Sequence, residues 1–199
     1  MKFALVLVAA AVVLGASRGS QAYDAPAGPP VRQQVMVPAS DFTLTNQDGR
    51  AVRLADLRGK PVLLTFIYTT CPDVCPLITA DMVRIQRLVK ARGGPEAIFL
   101  SITTDPEVDR PDVLKAYAER HGVDLATWAL LTGTTAELQP VWNAYSVKVT
   151  RRARGLVDHT GVSILIDRLG RIRYRYRGWS LDTPTVVADL ERLNAEAKR

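Results

Sequence analysis

The chain of 199 residues carries two cysteines, and they stand together in Cys71-Pro-Asp-Val-Cys75. They follow directly on the apolar run Val62-Leu-Leu-Thr-Phe-Ile-Tyr68. Two thiols at this spacing, where a buried strand gives way to a helix, suit either a dithiol/disulfide couple or a soft-metal clip. Side chains four apart on a helix hold their Cβ atoms about 5–6 Å apart, and a disulfide wants roughly 3.5–4.5 Å. A modest distortion of the first turn closes that gap. Two thiolates each about 2.3 Å from a shared ion stand up to roughly 4.6 Å apart, so the spacing alone admits both chemistries. A helix N-terminus also favours thiolate over thiol through its unpaired N–H groups and its dipole. Pro72 suits a place at or near the first helical position. An inert bridge is the weaker reading, because so short a loop removes little unfolded-state entropy.

The compartment bears on which chemistry operates. Met1-Lys2, the apolar stretch Phe3 to Leu14 and Gly15-Ala-Ser-Arg-Gly-Ser-Gln-Ala22 have the charge, apolar run and small-residue end of a secretory leader. Residues 1–22 are therefore expected to be a signal peptide directing export to the periplasm. The apolar run falls short of the roughly 20 residues that span a bilayer; retention as an uncleaved inner-membrane anchor is the alternative fate. No cysteine follows the apolar run to take a lipid. In an oxidising compartment an isolated cysteine pair drifts to the disulfide unless a reductant or a metal holds it otherwise.

The formal net charge is +6, and it falls by two to +4 when Lys2 and Arg18 leave with the leader. That is mild, and nucleic acid is not an expected partner. Basic residues gather at Arg151-Arg-Ala-Arg154 and at Arg171, Arg173, Arg175 and Arg177. The second set alternates with Ile172, Tyr174 and Tyr176, which predicts a solvated strand face. Its other reading is a docking surface for an acidic partner or a membrane.

The elements that must position the cysteines are legible in the pattern. Residues 23–37 are rich in Pro and Gly and read as a flexible linker, with a domain from 38 to 199. A hairpin is expected around Asn46-Gln-Asp-Gly49, then the central strand Val62–Tyr68. Val74, Ile78, Met82, Ile85 and Val89 form the apolar stripe of a helix that stops at Arg92-Gly-Gly-Pro95. A strand at 97–103, a helix from Asp109-Arg-Pro to Gly122, a strand at Trp128-Ala-Leu-Leu and a helix from Thr135 to Tyr145 follow. The end is a hairpin, Val162–Asp167 with Arg171–Arg177, and a helix from about Thr183 to Ala197. Alternating strands and helices argue for an α/β layered domain, and a dithiol after the first buried strand points to a thioredoxin-like fold. The expected architecture is a central mixed sheet flanked by helices, with an N-terminal hairpin.

Thr65-Phe-Ile-Tyr-Thr-Thr-Cys-Pro-Asp-Val-Cys-Pro76, Ser101-Ile-Thr-Thr-Asp-Pro106 with Asp109, and Val157-Asp-His-Thr160 together resemble the Sco/SenC family of copper-handling proteins. The resemblance spans roughly residues 38–199. It implies a thioredoxin-like fold, a copper ion held by Cys71, Cys75 and His159, and a role in maturing the dinuclear copper centre of cytochrome c oxidase. The implied partners are the copper-centre subunit of that oxidase, other periplasmic copper chaperones and thiol reductants. Soft thiolates suit Cu(I), and an added imidazole suits Cu(I) and Cu(II) alike.

Other residues have plainer expected roles. Asp105 and Asp109 match the family's acidic loop and either supplement the metal site or, for Asp109, cap the helix that begins at Arg110-Pro111. His121 is expected in a helix's last turn near terminal carbonyls. Trp128, Trp142 and Trp179 read as core or rim aromatics. The leading function is copper chaperoning through Cys71, Cys75 and His159. The alternative is a thiol–disulfide reductase in which Cys71 attacks and Cys75 resolves. Peroxide chemistry ranks third, since neither an activating threonine nor an arginine beside the thiolate can be placed.

Overall fold

The computed structural model describes residues 30–93 and 97–196. The expected leader, residues 1–22, and the linker as far as residue 29 lie outside the described residues. The strands are β1 (Val31–Pro38), β2 (Thr43–Asn46), β3 (Ala51–Arg53), β4 (Val62–Ile67), β5 (Ile98–Thr103), β6 (Trp128–Thr132), β7 (Val149–Arg151), β8 (Val157–His159), β9 (Val162–Ile166) and β10 (Arg171–Arg177). The helices are α1 (Val74–Ala91), α2 (Pro111–His121), α3 (Thr135–Ala144) and α4 (Thr183–Glu196). Among these helices none is long and apolar enough to cross a membrane.

The main sheet runs β1-β10-β9-β4-β5-β6-β2-β3. β4, β5 and β6 pair in parallel, and every other pairing in it is antiparallel, so the sheet is mixed as expected. β4 lies inside it with both faces covered, which is why its sequence is a nearly unbroken apolar run. Leu63 and Ile67 point to the core under α1, α2 and α4. Val62, Leu64 and Phe66 point to the opposite core, closed by α3 and the β2–β3 hairpin. Each such side chain, fully buried, contributes about 1.5–3 kcal/mol. This burial anchors the strand whose end delivers Cys71.

Three local expectations change. Residues 31–37, read as linker, belong to β1, which pairs antiparallel with β10. An exposed edge strand with little apolar alternation carries no periodic signal, and its structure comes from the neighbour it pairs with. The arginines of β10 do not form one solvated face: pairing slips between Ile172 and Tyr174, so Ile172 joins one core while Tyr174 and Tyr176 join the other. Arg173 is consequently buried, with Nη1 2.6 Å from Glu196 and 3.3 Å from Asp167. Finally, β7 and β8, a separate two-stranded ribbon, occupy residues left without an assigned element.

Candidate metal centre

α1 begins at Val74, so Cys75 lies in its first turn and Cys71 lies before it. The two thiols are therefore not a pair on one helix face. Cys71 sits where the helix presents its unpaired N–H groups, and its Sγ accepts from the Cys75 backbone N–H at 3.4 Å. Both side chains are buried and no disulfide joins them. Tyr68, directly after β4, lines the same cleft as Cys71 and Val157, and its hydroxyl favours the Cys71 thiolate.

These surroundings split the two thiols. The hydrogen bond from the Cys75 thiol, followed by backbone N–H groups and the Tyr68 hydroxyl, holds Cys71 down at about 5 despite its burial. Cys75 is pushed far up, because its proton is committed to the Cys71 sulfur and because it is desolvated. The resting pair is a thiolate at Cys71 beside a thiol at Cys75.

His159 ends β8, where it pairs across the ribbon with Val149. It is buried, and its Nε2 stands 4.0 Å from Cys75 Sγ. The carbonyl of Thr160, 3.2 Å from Nδ1, can only accept, so Nδ1 carries the proton and Nε2 presents its lone pair towards the cysteines. Desolvation lowers the imidazole to about 4, which keeps it neutral at physiological pH. The structure thus brings His159 close to Cys75, 84 residues away in the chain, and to Cys71, which lines the same cleft. Among the described residues no three His, Cys, Asp or Glu side chains stand close enough together to hold a metal ion as they are placed. Two sulfurs and one imidazole nitrogen are nonetheless a donor set suited to a soft ion.

A cleft of about 150 Å³ leads to Cys71 and His159, lined also by Tyr68, Pro72, Leu156 and Trp179 among others. The rings of Tyr68 and Trp179 meet the imidazole edge-on, at 6.0 and 4.9 Å. Trp179, read from sequence as an ordinary core or rim aromatic, therefore confines a site residue. The sequence signal was Gly161 and Gly178 close to it: a Cβ on Gly161 would stand 2.8 Å from the indole and 2.9 Å from the Gly178 carbonyl. Gly161→Ala is expected to displace the indole and cost about 1–3 kcal/mol of stability through overpacking. A lowered denaturation midpoint with shifted tryptophan fluorescence checks this, and an unchanged midpoint would refute it.

The acidic residues fall elsewhere. Asp109 does not cap α2, whose N-cap is Arg110 without a side-chain cap bond. Asp109 is fully buried and accepts from Thr69 and Thr103. Asp105 is also buried and pairs with Arg151. Both are raised, chiefly by desolvation. His121 ends α2 and packs its ring on Tyr117 at 4.2 Å.

The sequence profile of the SCO1/SenC family matches residues 32–195. The chain belongs to the SCO1/SenC family. Among its SCO1/SenC relatives, the SCO1 protein homologue of Bacillus subtilis is 36% identical over 154 residues, covering 76% of this chain and 79% of that protein. The chain spans between 38% and 65% of the length of the mitochondrial and rickettsial relatives it matches. Among solved structures, BsSco, described with a disulfide switch and as a member of the Sco family of cytochrome c oxidase assembly proteins, superposes with a TM-score of 0.72. It is 27% identical, over 81% of this chain and 96% of that one. The copper-bound ScoI of Bradyrhizobium japonicum superposes with a TM-score of 0.63 at 32% identity, over 79% of this chain and 99% of that one. The thioredoxin-like fold expected from the sequence is the fold of these Sco structures.

Proposed function

We propose that this SCO1/SenC protein is an exported copper chaperone that takes copper as cargo on Cys71, Cys75 and His159. It passes the ion to the copper-centre subunit of cytochrome c oxidase. The observation that carries this reading is the His159 ring, held neutral with Nε2 4.0 Å from Cys75 Sγ. A reductase needs no histidine there. Copper in the Bradyrhizobium japonicum relative and oxidase assembly in the description of BsSco support the same reading. Export rests on the leader-like residues 1–22, with an uncleaved inner-membrane anchor as the other fate of that segment.

The chemistry follows from the residues. Cys71 is already a thiolate and offers a first sulfur, while Cys75 must give up its proton as it becomes the second. The neutral imidazole adds a third donor without losing a proton. Hand-over proceeds by exchange of these ligands for those of the recipient. Oxidation to the disulfide removes both sulfurs, so cargo affinity depends on a supply of electrons.

The test is a Cu(II) titration of the reduced protein followed by visible absorption. A strong thiolate-to-copper charge-transfer band saturating at one equivalent, and collapsing in His159→Ala, supports the chaperone. An equal band and affinity in the variant would remove His159 from the site. A second reading, thiol–disulfide exchange on an oxidase subunit's cysteines, is favoured by one observation, the thiolate and thiol split between Cys71 and Cys75. Immediate oxidation to the disulfide with no coloured complex would move the function there.

A further inference from the structure

The β5–α2 loop touches both arms of the site. Asp109 receives the Thr69 backbone N–H at 3.2 Å on each oxygen, the Thr69 hydroxyl, and the Thr103 hydroxyl at 2.5 Å. Thr69 stands two residues before Cys71. Four residues before Asp109, the buried Asp105 holds Arg151 Nη2, and Arg151 Nη1 stands 3.3 Å from Glu107. Arg151 ends β7 and pairs with Val157, two residues before His159. The loop itself is tightly closed: the Asp109 N–H reaches the Asp105 carbonyl at 2.9 Å, and the Asp105 N–H reaches the Thr103 hydroxyl at 2.9 Å.

The ribbon that carries His159 has three residues in each strand. So small a two-stranded element has little stability of its own, and its attachments decide where the imidazole stands. Val157 is buried in the core and the imidazole meets the Tyr68 and Trp179 rings; on the β7 side, Arg151 ties the ribbon to the acidic loop. Breaking the latter leaves a buried carboxylate without its cation, which is costly. Both Asp109 oxygens are occupied by N–H and hydroxyl donors, so this residue acts on the site through Thr69 and not as a donor to the cargo.

We propose that the β5–α2 loop is the positioning clamp of the site: Asp105, through Arg151, sets the placement of His159, and Asp109, through Thr69, sets the placement of Cys71. The proposal rests on the copper reading above for its affinity readout. One loop thus holds the nitrogen arm and the sulfur arm at a common spacing.

The test uses the full-length reduced protein. Cu(I) affinity is measured by competition with bicinchoninate, and iodoacetamide labelling of Cys71 is followed on the copper-free protein. Asp105→Asn and Arg151→Met are each expected to lower affinity about tenfold, as loss of a ligand-orienting partner does, with Arg151→Lys recovering part of it. In a His159→Ala background the same changes should alter affinity by less than about twofold, because their effect runs through the imidazole. Thr69→Val, which removes the hydroxyl held by Asp109 at nearly constant volume, should change the Cys71 labelling rate severalfold in both backgrounds. Thermal melts identify any variant that fails to fold, and Arg151→Lys, which keeps a cation beside the buried Asp105, is the safest of them. Equal affinity losses in both backgrounds, or none, overturn the histidine limb. Failure of the unsubstituted protein to bind Cu(I) overturns the copper reading instead, and an unchanged labelling rate in Thr69→Val then still overturns the cysteine limb.

Discussion

Cys75→Ser is expected to lower Cu(I) affinity by more than about a hundredfold, since even groups that merely orient ligands are worth ten- to a hundredfold. Cys75 Sγ stands 4.0 Å from His159 Nε2, and a hydroxyl is a hard donor that does not replace a thiolate for a soft ion. Cys75 is 1% exposed, and burying a hydroxyl there costs about 1–3 kcal/mol unless it finds a partner. The Cys71 sulfur is such a partner, so the fold is expected to survive. Chelator competition on the variant, beside circular dichroism, checks this. An affinity within tenfold of the unsubstituted protein would mean that the ion is not held by Cys75.

Alkylation of Cys71 is expected to stay fast as the pH falls, with a midpoint near 5, and to mark Cys71 before Cys75. At pH 6 such a group is about nine-tenths thiolate, against roughly 0.3% for a free thiol near 8.5. Lower basicity takes back a factor of about 25–50 in intrinsic nucleophilicity, and Cys71 is buried, so the pH profile and not the absolute rate is the readout. Tyr68→Phe removes a hydroxyl donor and should move the midpoint upward. The sign for stability follows: Cys71 lies below its unfolded value of 9.0, so the unfolded chain binds more protons between about pH 5 and 9. The thiolate's contribution is therefore present above pH 9 and lost as the pH falls through 5. Iodoacetamide rates across pH 4–9, with the label located by mass spectrometry, decide the matter. A midpoint above 8, or first labelling at Cys75, would refute the split.

Periodic apolar spacing was a reliable guide wherever an element is packed on a layer of core. The stripe of α1 illustrates this: Ile78, Met82 and Ile85 are buried, and Val74 and Val89 pack at its margins. Gly122 closes α2 with φ 66°, as a C-terminal glycine should. The same reasoning misjudged β10, because a single register slip between Ile172 and Tyr174 exchanges faces without altering the alternation of residue types. Asp109 beside Arg110-Pro111 has the form of a helix cap, yet its carboxylate turns inward to Thr69, 40 residues away in the chain. Local spacing cannot distinguish a local acceptor from a distant one.

What this sequence determined by itself is the material of the site: two thiols after a strand buried on both faces, and a histidine before a second one. Those features are local, set by apolar runs and by residue type. Tertiary structure alone decided that Cys71 precedes the helix while Cys75 lies within it, that Trp179 and Tyr68 border the imidazole, and that one acidic loop reaches both arms. These are matters of where chain segments meet in space. Their energies come from desolvation and from hydrogen bonds between residues far apart in the chain, which no local pattern encodes.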